Sequence, residues 1–466
     1  MHRDYSLTGP ESHRAIERGL ADADWYRPPI DSGRLQELMV RRDRRTAMHT
    51  LLWLALLFGS GVAAYELLGS WWALPAFAMY GALYGGSADP RWHENGHGTA
   101  FRSRWASDAI YYLASFMLLR EPTLWRWSHV RHHSDTIIVG RDPEIAFPRP
   151  PTLRRILPNY VHLFNGPAML KRVFAHAFGR IDADARDFVP EHDLRRVVWE
   201  ARAFVLILLG VVGWSLVSWS IVPLLFIGLP SFYGVWLLLF FGMTQHAGLP
   251  EDVLDHRLNT RTIYMNPVFR FLYLNMNYHT EHHLFPSVPY HALPALHHEI
   301  KAYLPEPHRS TWSAYREIIP TLLKQRRDPT YDIPDRVLPD GGDLALAVAV
   351  AEHGPTVDLG AACDLAVGEL RRVDRGDHTF LLCRYDEEGL ALTDGLCTHG
   401  RTHLADGFLD GCEIECPKHN GRFDVRTGEP LRRPATVPLS RYTVEVVDGR
   451  IVATLDAVPR GGLTSG

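Results

Sequence analysis

The order of apolar and polar positions divides the chain before any motif is considered. The first 45 residues are polar and Arg-rich, near-continuous apolar runs follow, and short alternating runs take over from about residue 356. Four runs could cross a bilayer: Thr46–Leu68, Trp71–Ala88, Ala203–Trp219 and Ile221–Met243, each 17 to 23 residues. A span needs roughly 20 residues to cross about 30 Å of hydrocarbon, so the second and third rely on snorkelling or local thinning. Only Gly69 and Ser70 separate the first pair and only Ser220 the second. The pattern predicts two tight helical hairpins, with buried soluble hairpins as the competing reading. Trp105–Leu119 is apolar but interrupted by Asp108 and Ser115, which predicts an interfacial helix instead of a fifth span.

Arginines orient the hairpins. Arg41, Arg42, Arg44 and Arg45 precede the first span and Arg91, Arg102 and Arg104 follow the second. Lys171, Arg172, Arg195, Arg196 and Arg202 precede the third, while the turns within each pair carry no Lys or Arg. Both hairpins are therefore expected to enter from the cytoplasm and return to it.

Beyond the apolar region, KQRRDPTYDIPDRVLPDGGD reads as a linker. The runs TFLLCRY, LALTD, CEIEC, YTVEVV and RIVATL alternate as strands do, and Asp448-Gly449 is a hairpin turn. The expected organisation is an N-terminal segment 1–45, a membrane domain 46–323, a linker 324–355, a small all-β domain 356–457 and a tail 458–466.

Composition changes this picture little. The net charge of −4 leaves no footprint for nucleic acid. Five scattered cysteines argue against a disulfide framework and for a reducing compartment. No secretory signal is visible. Four Lys against 45 Arg is a skew associated with GC-rich bacterial genomes, so the expected location is a bacterial inner membrane.

The chemistry is carried by cysteines and histidines. In the β domain, Cys397-Thr398-His399 and Cys416-Pro417-Lys418-His419 give C-x-H-x16-C-x2-H. A Rieske [2Fe–2S] centre needs two thiolates on one iron and two imidazoles on the other. Two loops each offering one Cys and one His meet that need. A structural zinc site is the alternative, but zinc fingers pair like ligands within a loop. Cys363, Cys383 and Cys412 are expected in the core, and His403 on the surface. CTHGRTHLADGFLDGCEIECPKHNGRFD resembles the Rieske ferredoxins that serve bacterial oxygenases, without the extra loop cysteines of respiratory relatives.

Three histidine boxes lie on the expected cytoplasmic face: His93 and His97 in HENGH, His129, His132 and His133 in HVRHH, and His279, His282 and His283 in HTEHH. His246 in TQHAGLP brings the set to nine, enough for two irons, and imidazole suits iron. HENGH alone also fits the zinc-protease pattern, with Glu94 as base. His291, His297 and His298 read as surface positions of an amphipathic helix.

HENGHGTAF, HVRHHSDT and NYHTEHHLFPSVPYHALPALH resemble the membrane fatty-acid desaturase/hydroxylase superfamily, over about residues 46–305. SHVRHHSDTIIVGRDPEI resembles in particular a rhizopine- or hydrocarbon-oxygenase-like branch, here fused to its ferredoxin. The resemblance implies a four-helix membrane unit with a cytoplasmic diiron cap, the eight box histidines as iron ligands and His246 as a ninth. Gly242 stands where some relatives place an Asn ligand.

The expected function is a membrane-bound, O₂-dependent diiron oxidase that hydroxylates or oxidatively demethylates an apolar or methylated organic substrate with electrons from its own Rieske domain. An acyl-lipid desaturase and a non-enzymatic membrane redox protein are the alternatives. The Gly59-Ser60-Gly61 match to a dinucleotide motif lies inside the first span, so a separate NAD(P)H-dependent ferredoxin reductase is the expected partner.

Overall fold

The computed structural model describes residues 3–21, 23, 25–334, 336–339, 347–349, 356–400, 402–418 and 420–455. His419, the tail 458–466 and most of the linker lie outside these residues. The chain forms two compact units. One is helical and holds residues 41–284 with both flanking segments; the other gathers residues 28–40 and 285–287 with the C-terminal β domain.

Among the described residues, three helical stretches are long and apolar enough to cross a membrane: Asp43–Glu66, Glu191–Val217 and Val222–His246. The first, α3 (Asp43–Glu66), follows α1 (Pro10–Glu17) and α2 (Ser32–Met39). Large side chains such as Phe58 (76% exposed) project outward from it, as a lipid-facing helix requires.

The second predicted span is a shorter helix, α4 (Ala73–Gly81), which passes through a π turn at Ala82–Gly86 into α5 (Ala88–His97). Such turns recur at functional sites. Here it precedes the helix that carries the first histidine box.

After α6 (Arg104–Met117), which packs on α5 through Tyr111 and Trp92, come α7 (Pro122–Ser134), α8 (Leu153–Asn159), α9 (Asn165–Ala177) and α10 (Ala183–Phe188). Pro122 begins α7 where a missing N–H costs nothing.

The long α11 (Glu191–Val217) is the third predicted span. The fourth is broken into α12 (Val222–Phe226), α13 (Pro230–Tyr233) and α14 (Trp236–His246). Gly228 takes a positive φ at the first break and Pro230 opens the next helix. The break lets backbone approach backbone: a Cβ on Gly85 would lie 2.8 Å from the Gly234 carbonyl carbon. Small residues at helix crossings in membranes serve this purpose.

The remaining helices are α15 (His256–Asn259), α16 (Pro267–Leu272), α17 (His279–Leu284), α18 (Leu293–Ile300) and α19 (Thr311–Arg327). A capping box between Ser310 and Ser313 starts α19.

The β unit contains a seven-stranded and a four-stranded sheet. The first includes β2 (Thr356–Ala361), β3 (Leu370–Arg375), β4 (His378–Arg384), β5 (Leu390–Asp394), β10 (Arg441–Val447) and β11 (Arg450–Thr454), with β1 (Ala347–Ala349) parallel to β3 at its edge. The second runs β6 (Phe408–Asp410), β7 (Glu413–Glu415), β8 (Arg422–Asp424), β9 (Pro430–Arg432).

Alternation is clear in β4. Phe380 and Leu382 enter one core and Leu381 and Cys383 the other. Helix α2 belongs to this unit. Its Gln36 amide donates to Gly407 O at 2.7 Å and accepts from Leu409 N at 3.1 Å, completing the edge of β6 as a strand would.

Candidate metal centres

Helices α5, α7, α14 and α17 each bring histidines to one buried place. The i, i+4 spacing puts His93 and His97 on one face of α5, and His129 and His133 on one face of α7. Gly98, at φ 67°, ends α5 directly after the box.

The nine imidazoles separate into two groups whose nitrogens lie within 4.8 Å of one another: His93, His97, His129, His133 and His282, and His132, His246, His279 and His283. Within the first, the Nε2 atoms of His97 and His133 approach that of His129 at 3.0 and 3.1 Å. Within the second, the Nε2 of His279 sits 2.9 Å from that of His246 and 3.1 Å from that of His283. His133 and His283 stack at 4.2 Å and join the groups.

Nitrogens crowded this closely in two buried groups could each hold a metal ion. His93 Nε2 and Nδ1 and the Nδ1 atoms of His133, His279 and His282 are buried with no hydrogen-bond partner. Burial, and then the neighbouring rings, push His93, His97, His133, His279, His282 and His283 well below the ordinary histidine range. Neutral imidazole is the form that binds metal.

Four of the outward nitrogens are held by partners absent from the boxes. Glu144 meets His129 Nδ1 at 3.1 Å and Asp142 meets His132 Nδ1 at 2.9 Å. The Asn259 carbonyl accepts from His246 Nδ1 at 2.8 Å, and Thr136 Oγ1 lies 3.2 Å from His283 Nδ1. Such partners fix the tautomer and aim Nε2 at the metal. His132 is buried, which lowers its pKa, yet Asp142 prevails and holds it above its usual value. Glu144 is likewise buried but is drawn down to about 2 by His129.

A cavity of about 340 Å³ opens on both groups; its walls include His93, His129, His132, His246 and His279. Gly242 is part of this wall. Glu94, the base of a zinc-protease reading, does not line it. Its Oε1 accepts from Thr99 Oγ1 at 2.8 Å and Tyr290 N at 3.1 Å.

In the β unit, Cys397 follows β5 and Cys416 follows β7, both buried. Each loop is closed by the same bond: Cys397 N donates to Thr402 O at 2.9 Å and Cys416 N to Gly421 O at 2.8 Å. The Cys416 thiol, ahead of the opposing effect of burial, pulls the Cys397 thiol below its usual pKa. Paired thiols below an exposed His399 suit a cluster with one buried and one exposed edge.

Four minor expectations need correction. His291 and His297 are buried; Glu281 of the third box holds His297 Nδ1 and Tyr264 OH meets its Nε2 at 3.0 Å. His403 is also buried; it caps a short turn and contacts Thr379 Oγ1 at 2.8 Å. Cys363 is exposed, whereas Cys383 is in the core.

A sequence model of the fatty acid desaturase family matches residues 69–315, more than half of the chain. The chain belongs to the fatty acid desaturase family. Residues 356–443 of this family member match the Rieske [2Fe-2S] domain. The ferredoxin component of the 2,4-dinitrotoluene dioxygenase system of Burkholderia sp. (strain RASC) is 47% identical over 16% of this chain and 72% of its own. That of the naphthalene 1,2-dioxygenase/salicylate 5-hydroxylase systems of Ralstonia sp. is 41% identical over 21% of this chain and 95% of its own. The solved complex of reduced oxygenase and oxidised ferredoxin in carbazole 1,9a-dioxygenase contains a chain 39% identical over 22% of this one and 94% of its own, with a TM-score of 0.21.

The Rieske domain indicates a [2Fe–2S] cluster, and the desaturase domain with its histidine groups indicates non-haem diiron. This desaturase-family member is an oxidoreductase of the Rieske-coupled oxygenase or desaturase type.

Proposed function

We propose that the chain is a membrane-bound, O₂-dependent diiron oxidase that hydroxylates or oxidatively demethylates an organic substrate with electrons from its fused ferredoxin domain. One iron would be held by His93, His97, His129, His133 and His282, the other by His132, His246, His279 and His283. Cys397, His399, Cys416 and His419 would hold the cluster. When bound and reduced, the irons supply O₂ activation and cleavage of an unactivated C–H bond.

The observation that carries this reading is the cavity shared by both histidine groups. A molecule seated there would face histidines of both groups at once. Its walls also suit a substrate that carries a polar group better than a plain acyl chain. Leu118, Ile137 and Leu249 share the lining with Asn159, His162 and Gln245, which can meet hydroxyl or ether groups. Asp89 meets Arg120 at 2.7 Å, so the wall offers no unpaired charge there and suits a neutral substrate. Acyl-lipid desaturation is the second reading, supported by the family itself.

The three apolar stretches and the arginines flanking the predicted hairpins support a four-helix membrane unit with the histidine groups in a cytoplasmic cap, in a bacterial inner membrane. Fusion raises the donor's effective concentration to about the millimolar range. A separate NAD(P)H-dependent ferredoxin reductase would supply that donor.

Metal and acid-labile sulfide analysis of detergent-purified protein tests the assignment. About four irons and two sulfides per chain are expected. Zinc retained in the histidine groups after iron-supplemented expression would refute it. NADH consumption with reductase should then depend on an added organic substrate; a rate indifferent to any substrate would leave only a redox protein.

A further inference from the structure

The wall of the cavity includes a segment whose outer face is apolar. Asn159, His162, Asn165 and Met169, in and between α8 and α9, line the cavity. The residues interleaved with them point away: Val161, Leu163 and Phe164 are 50%, 58% and 45% exposed, and Leu157 just before them 78%. Four large apolar groups on one short connection form a patch that water would disfavour.

Exposed cations flank the patch along the chain, Arg154 and Arg155 before it and Lys171 and Arg180 after it. The Arg155 guanidinium lies over the Phe164 ring at 5.6 Å. Apolar side chains bordered by Lys and Arg match the boundary between acyl chains and anionic headgroups.

The segment is also continuous with the apolar stretches. Val173 and Ala177 of α9 pack on Ala201 and Phe204 of α11. Tyr160 OH reaches Met243 Sδ of α14 at 3.7 Å, and Gly166 lies so close under Phe232 that any side chain would strike the ring.

We propose that residues 157–166 form a portal seated in the bilayer, through which a membrane-dissolved amphiphile enters the metal cavity with its polar end toward Asn159, His162 and Asn165. This rests on the reading of the cavity as the substrate site. It adds the phase from which substrate comes: a lipid-partitioning molecule with a neutral hydrogen-bonding head, taken laterally.

Two measurements on the full chain in mixed phosphatidylcholine–phosphatidylglycerol vesicles test it. A nitroxide on Leu163→Cys, in a background with Cys363 and Cys412 changed to Ser, should be relaxed more by O₂ than by a water-soluble nickel chelate. A label on native Cys363, with only Cys412 changed, gives the aqueous reference, and matching it would overturn the proposal. In the second measurement, a diazirine-tailed dodecanol dissolved in the vesicles is photolysed and its adducts are mapped. Adducts are expected on Leu118, Ile137 and Leu249, which are buried and line the cavity. They should fall about tenfold in Leu163→Glu, whose charge opposes seating in the interface. Lipid-like relaxation without cavity adducts would overturn the portal and leave a membrane anchor. A cavity adduct pattern equal in Leu163→Glu and wild type would overturn it too. Failure of the diiron reading would appear separately, as missing iron with the photolabelling intact.

Discussion

Asp142→Asn is the substitution whose consequence follows most directly from the geometry. One carboxylate oxygen of Asp142 meets His132 Nδ1 at 2.9 Å and accepts from Ile137 N at 2.7 Å; the other accepts from Glu144 N at 2.8 Å. The side chain is fully buried. An asparagine has one oxygen, so its NH₂ group must face a donor in either orientation. Facing Glu144 N, it leaves one buried N–H without an acceptor, at a cost of about 1–3 kcal/mol. Facing His132, it also loses the hold on the imidazole tautomer. Removing such an outer partner typically lowers metal affinity about 10–100-fold, or roughly 1.4–2.8 kcal/mol. The assay is iron retained per chain against a chelator titration, read beside acid-labile sulfide. Asp142→Asn should release histidine-bound iron at a chelator concentration about 10–100-fold lower, with sulfide unchanged. Wild-type retention would refute the assigned role of Asp142. Parallel loss of sulfide would show general unfolding instead.

Other substitutions probe the remaining sites. His246→Ala should leave about three irons per chain with sulfide intact, checked by metal analysis. Cys397→Ser should remove sulfide and the cluster's iron, spare the histidine-bound iron, and abolish NADH-driven O₂ uptake. A third prediction concerns pH. Burial disfavours charge on His176, but Asp182 and Glu121, at 3.1 and 2.8 Å, overcome this and raise its pKa to about 9. A raised pKa gives stability that is complete below the unfolded value near 6.5 and is lost as pH rises through about 9. The melting temperature in detergent should fall across that window by an amount equivalent to ~2 kcal/mol, and His176→Gln should flatten the dependence.

Much of both candidate sites was legible because their proposed ligands repeat at short spacings. HENGH, HVRHH and HTEHH announce themselves, and each folds as one or two helical turns with its imidazoles on one side. The paired Cys and His of the β domain are equally local. His246 was readable only by its place beyond an apolar run, which is where α14 delivers it.

What escaped was long-range. Nothing in RDPE says that its carboxylates turn back to His132 and His129, ten and fifteen residues upstream. Asn259 acts on His246 through a backbone carbonyl, which leaves no side-chain signal. His297 read as a surface residue because its partner Glu281 sits inside a metal motif and only tertiary packing joins them. In the fold, hydropathy found the apolar stretches but not the break at Gly228–Pro230, since turn chemistry is weak evidence inside a run that is apolar throughout.

The placement of Asp142 and Glu144 leads to a last prediction. Nine neutral imidazoles would leave the charge of two divalent ions uncompensated in a buried site, and burying such charge without counter-ions is costly. Both carboxylates come from one loop, yet they divide: Glu144 holds His129 of the five-histidine group and Asp142 holds His132 of the four-histidine group. Each histidine group thus receives one carboxylate behind an imidazole, while His246 and His283 receive neutral partners. Glu144→Gln should therefore weaken a different iron from Asp142→Asn. Ser128 Oγ, which donates to Glu144 Oε1 at 2.8 Å, can still pair with the Gln carbonyl, so the fold should hold. With each iron's chelation measured separately by Mössbauer spectroscopy of ⁵⁷Fe-loaded protein, the two variants should deplete different subsites, and the double variant should lose both. If both single variants deplete the same subsite, the one-anion-per-metal division is wrong and the loop acts only as a scaffold for α7.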